Sequence, residues 1–101
     1  MDITECLQAL LRFKDEISGE ITINHKLTAS AELARQEMFF EKLMRDKNHK
    51  KEAERALISL RLLLEDLKND ESKRARNDLK ELIRYVARMK ATINLKRRHE
   101  E

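Results

Sequence analysis

Side chains able to do covalent or metal chemistry are few in this 101-residue chain and widely separated. There are three histidines (His25, His49, His99) and a single cysteine, Cys6. No His-Glu-x-x-His run occurs, and no glutamate is followed three residues later by histidine, the pairing that a di-metal four-helix site places on two helices. Asp46 precedes His49 by three residues, but it lies in a polar stretch that reads as a turn, where His49 is expected to be solvated. A cysteine in an apolar helical stripe with no neighbouring base is expected to be a buried structural thiol, not a nucleophile. The residue set therefore predicts no catalytic centre, no metal, no cofactor and no small-molecule substrate.

Binding is better provided for. Arg76, Lys80, Arg84 and Arg88 follow one another at steps of four, a basic ridge to which Arg97 and Arg98 could add. The net charge of +3 hides a gradient: residues 1–46 carry −3, residues 47–72 carry 0 and residues 73–101 carry +6. Such a ridge could neutralise phosphates of a nucleic acid or meet an acidic protein groove. Against the first stand Glu81, three residues from Arg84, and the lack of interleaved aromatics for base stacking. An internal use is also open, in which Asp15, Glu16, Glu20, Glu32, Glu37 and Glu41 lie beside the basic last helix.

A second set is apolar. Met38-Phe39-Phe40 would cover about 200° of a helix, more than one buried stripe uses, so Phe39 or Phe40 should sit at the core edge or outside it. A similar surplus occurs at Leu57-Ile58, Leu60 and Leu62-Leu63-Leu64. Phe39, Phe40, Leu43, Ile58 and Leu62 thus form the expected interface near the central turn, for a foreign partner or a second copy.

The elements that must carry these residues are helices. The chain has no proline and one glycine, which leaves little to build sheet turns or phosphate loops. Asp2 and Glu5 have the spacing of an N-terminal cap, ahead of Ile3, Cys6, Leu7, Leu10, Phe13 and Ile17 on one face. Ser18-Gly19 predicts a stop, with glycine in the left-handed conformation. The β-branched, polar stretch 20–26 is the weakest helical segment. Periodicity resumes with Leu27, Ala31, Ala34 and Met38, supplemented by Phe40, Leu43 and Met44. After the turn at 45–51 come Ala53, Leu57, Leu60, Leu64 and Leu67, widened by Ala56, Ile58 and Leu63. Asp70 or Ser72 could then cap a last helix with Ala75, Leu79, Leu82, Val86, Met89 and Ile93.

The predicted fold is a single all-α domain over 1–101, an up-and-down four-helix bundle with helices near 3–18, 27–45, 50–68 and 72–97. The alternative is a long antiparallel hairpin, with arms of roughly 65–72 Å, that dimerises into four helices. There, residue i would lie opposite about 95 − i, so that the soft stretches near Gly19 and Glu71 meet at one level. Leu79, Leu82, Val86, Met89 and Ile93 read as a core seam or, as heptads, as a self-association seam. No segment is apolar enough to span a bilayer, and the N-terminus lacks signal-peptide character, so cytoplasmic or nuclear residence is expected. The function expected is that of a non-enzymatic helical protein-binding module, such as an adaptor, regulator, chaperone or assembly subunit, with a homodimer in view. The alternative is a nucleic-acid-associated subunit using the basic ridge.

Overall fold

A computed structural model describes the backbone of residues 1–100 and the side chains of residues 1–95. It contains α1 (Ile3–Glu16), α2 (Ile23–Leu43), α3 (Lys50–Lys68) and α4 (Ser72–Glu100), with no strand among the described residues. Each helix packs on its chain neighbours, and α1 packs mainly on α4, which closes the ring. The extents of 45 × 21 × 20 Å are those of an up-and-down bundle, too short for the extended hairpin. The chain turns back at residues 17–22 and 69–71 as well as at its middle.

The caps explain the helix limits. Asp2 Oδ1 accepts the Glu5 N–H at 2.8 Å and starts α1 as expected. α2 begins four residues earlier than its apolar periodicity predicts, because Thr22 and His25 cap each other. The Thr22 hydroxyl oxygen accepts the His25 N–H, and His25 Nδ1 accepts the Thr22 N–H, both at 3.2 Å.

Two expectations about the turns are corrected. Gly19 does not adopt a left-handed backbone. α1 instead ends at Ile17, whose N–H bonds the Phe13 carbonyl at 3.0 Å, followed by Ser18 bonding the Asp15 carbonyl. The one non-glycine residue with positive φ among those described is Asp70, at 58°. It closes α3 and does not cap α4: the Glu71 N–H reaches the Asp66 carbonyl at 2.8 Å and the Asp70 N–H the Leu67 carbonyl at 3.5 Å. That is a Schellman closure, with aspartate where glycine is usual. Ser72 is already the first helical residue of α4.

The two turns at this end are tied together. Arg76 donates from Nε to the Ile17 carbonyl at 3.0 Å and from Nη2 to the Gly19 carbonyl at 2.5 Å. Lys26 and Asp70 form an ion pair. The soft stretches therefore meet at one level, now as two adjacent turns of a compact bundle.

The core takes Ile3, Cys6, Leu10 and Phe13 from α1, Ile17 from its C-terminal cap, and Ala53, Ala56, Leu57, Leu60, Leu63 and Leu67 from α3. α4 contributes Ala75, Leu79, Leu82, Val86 and Met89, with Ile93 half-buried against them. The heptad-like seam of α4 is thus occupied within the monomer. α2 departs from expectation: its buried residues are Ala29, Leu33, Gln36 and Phe40, not Leu27, Ala31, Ala34 and Met38. Each core position lies two residues after the expected one. Two residues turn a helix by about 200°, so the expected stripe points to solvent.

Candidate protein interface

Among the described residues, the outward face of α2 carries the three most exposed large apolar side chains. Ile23, Leu27 and Met38 are 74, 66 and 64% exposed, and Ala31 and Ala34 between them are exposed too. At 100° per residue these five side chains fall within about 80° of arc. Arg35 and Lys42 border the stripe on one flank; Glu37 and Glu41 border it on the other. The acidic flank is held by Arg61 of α3, whose Nη2 lies 3.4 Å from Glu37 and 3.8 Å from Glu41. Ile58 and Leu62 stand one turn apart on α3, 54 and 46% exposed.

Of the five residues expected to form the interface, only Ile58 and Leu62 are surface residues. Phe40 is completely buried, so its place in a docking surface is withdrawn. Phe39 is half-buried, tilted 49° against the Phe40 ring at a centroid distance of 5.8 Å, and Leu43 packs half-buried on the core. The Met38-Phe39-Phe40 triplet is thereby shared out: one side chain outward, one at the edge and one inside.

The basic ridge is partly committed within the molecule. Arg76 serves the α1 carbonyls, and Arg84 pairs with Glu81 at 3.4 Å. Lys80 lines a cavity of about 220 Å³ with Lys14, Ile17, Ser18, Arg76 and Leu79. Arg88 is exposed, and the side chains of Arg97 and Arg98 lie outside the described residues. The expected pairing of the N-terminal acids with α4 does not occur among the described residues. Glu32 pairs with Arg35 at 3.5 Å on its own helix, while Glu37 and Glu41 turn to Arg61.

The residues capable of chemistry stay apart. Cys6 is buried, and its thiol is pushed up to about 12 by burial first and then by the Glu32 carboxylate. At that value the thiolate is negligible at neutral pH. His25 caps α2. His49 is not the solvated turn residue expected; it is buried at the start of α3, with Nε2 3.8 Å from Asp46. His99 lies outside the described side chains. Among the described residues no group of three potential ligands is placed to hold a metal ion.

Two buried polar side chains of the described residues hold atoms without a hydrogen-bond partner. Gln36, fully buried on the core face of α2, leaves both Oε1 and Nε2 without a hydrogen-bond partner. It lines a groove of about 250 Å³ between α1 and α2, with Leu10, Phe13, Ala29 and Leu33. Asp66 of α3 is buried with Oδ2 unpartnered. Desolvation first, then a hydrogen bond and repulsion from Asp78, push its carboxyl up to about 6, while Arg74 opposes the rise. The outward stripe, by contrast, is the periodic set of the sequence, facing solvent where the spacing predicts the core. No helix among the described residues is long and apolar enough to cross a membrane. No family model, curated protein or solved structure matches the chain, so the interface rests on its own geometry.

Proposed function

We propose that this chain is a small, non-enzymatic helical protein-binding module that presents the outward face of α2, together with the Ile58–Leu62 strip of α3, to another helix. One observation carries the reading. α2 is apolar on two opposite sides, and only one of them is used by the bundle. Exposed Ile, Leu and Met in register along a surface helix stabilise nothing in the monomer and favour association by roughly 25 cal/mol for each Å² they bury. The non-enzymatic part is supported by the separation of Cys6, His25 and His49, each of which has a structural place.

The test compares the full chain with Leu27→Ser and with the double variant Ile58→Ser, Leu62→Ser. Association, scored as retention of a partner from an extract of the source cells or as self-association by light scattering, should fall at least tenfold. The melting temperature should stay within a few degrees of wild type. Association indifferent to all three substitutions, or absent from the wild type, overturns the reading.

A further inference from the structure

We propose that the occupant of the outward α2 face is a second copy of the same face, the two α2 helices running parallel about a two-fold axis. This rests on the protein-binding reading above and names its partner. The argument begins with the pattern on the helix. In a heptad frame Ala31 and Met38 of the outward stripe fall at a, Leu27 and Ala34 at d and Ile23 at the flanking g, and exposed Asn24 takes the first a. Small residues at the centre let two backbones approach closely. A single asparagine at a is a device that fixes register in two-stranded parallel pairs.

Charge selects both the partner and the direction. Arg35 and Lys42 occupy e positions, and Glu37 occupies g. A two-fold axis parallel to the helices brings the basic flank of one copy onto the acidic flank of the other. Glu37 then meets Lys42 of the partner subunit, the five-residue offset that joins g to the following e. An antiparallel two-fold places each flank against its own copy and sets like charges face to face. Arg61 of α3 lies 3.4 Å from Glu37 and 3.8 Å from Glu41, the next d residue, so in the dimer Lys42 of the partner subunit shares Glu37 with Arg61. The stripe from Ile23 to Met38 is roughly 22 Å long, two heptads, so the interface falls at the small end of the range for specific complexes. The dimer is accordingly expected to be concentration-dependent.

Light scattering of the full chain from about 10 µM to about 1 mM, the range in which small interfaces saturate, is expected to show a monomer–dimer transition. Leu27→Glu should abolish it with helicity and melting temperature retained, since Leu27 is exposed in the monomer. Lys42→Glu should weaken it about tenfold by opposing Glu37, and adding Glu37→Lys should restore it. For direction, Leu27→Cys alone and Met38→Cys alone should each give a disulfide-linked dimer under mild oxidation, while buried Cys6 leaves the native chain unlinked. A monomer at every concentration, a dimer indifferent to Leu27→Glu, failure of the double charge exchange to restore it, or cross-linking only when the two cysteine variants are mixed overturns the proposal. If the chain stays monomeric while retention of a foreign partner still depends on Leu27, the protein-binding reading stands and only the pairing falls.

Discussion

α4 and α2 pose the same problem to a reader of the sequence and resolve it differently. α4 carries one apolar stripe, Ala75, Leu79, Leu82, Val86, Met89 and Ile93, and the bundle buries it. α2 carries two, offset by two residues, and the bundle buries the one that contains a glutamine. A helix with a single stripe has one low-energy orientation. With two stripes, the choice passes to the neighbours: Leu33 and Phe40 are taken into the interior and Gln36 goes in with them, while Leu27 and Met38 stay outside.

The largest effects should separate a used stripe from an unused one. Leu82→Ala, which removes a completely buried side chain of α4, should cost about 3 kcal/mol in urea denaturation. Leu27→Ala on the outward stripe of α2 should stay within about 0.5 kcal/mol at concentrations where the chain is monomeric. Equal costs would mean that α2 is turned the other way.

The next contrast sets the α3–α4 seam against the α2 core face, through the polar group buried in each. The Asp66 carboxyl stands at about 6 in the folded protein against an ordinary 3.8. A raised carboxyl holds its proton more tightly when folded, so its favourable contribution is complete below about pH 4 and is lost as pH rises through 6. Asp66→Asn should remove that decline and stabilise the protein at pH 7 by on the order of 2 kcal/mol, read as the pH dependence of the urea midpoint. Gln36→Leu should stabilise by about 1–2 kcal/mol at all pH values, since it removes two unsatisfied buried atoms from the groove between α1 and α2. A loss of stability in that variant would show that Gln36 has a partner in solution.

The smallest contrast lies between the two turns that share one end. Asp70→Gly relieves a left-handed backbone at the expense of an exposed ion pair, and should gain roughly 0.5 kcal/mol. Gly19→Ala, at a position with negative φ and open space around the added Cβ, should gain about as much by stiffening the unfolded chain. Reversed signs at the two sites would restore the glycine stop that the sequence suggests.

Legibility followed the same lines. All-helical class, four elements, the central turn and the core faces of α1 and α4 are legible, because single stripes and polar intervals leave little choice. On α3, whose apolar residues exceed one stripe, Leu64 is half-buried and Ile58 exposed while Ser59 and Asp66 go inside. The start of α2 is not legible, since the reciprocal Thr22–His25 cap outweighs a stretch of low helix propensity. Nor is the orientation of α2, which depends on volumes contributed by the other helices. The excess of apolar residues on α3 leaves Ile58 and Leu62 at the surface, as the spacing suggests. Phe40 was misplaced because an excess says that one side chain must leave the core without saying which. The basic ridge was visible as spacing, but Arg76 had a better use on carbonyls 57 and 59 residues away.

The ring closure between α1 and α4 bears on how the chain is made. Of the four helices α1 is made before the others, yet the helix it chiefly packs against is the last of the four, and the Arg76 links to Ile17 and Gly19 span 59 and 57 residues. Contacts of such long separation form late, because the intervening loop must close before they contribute. Through most of translation Cys6, Leu10 and Phe13 have only the sparse α1–α2 seam to shelter them. Nascent chains stalled before α4 should therefore carry an unprotected first helix, open to chaperones and to thiol reagents that the finished bundle excludes.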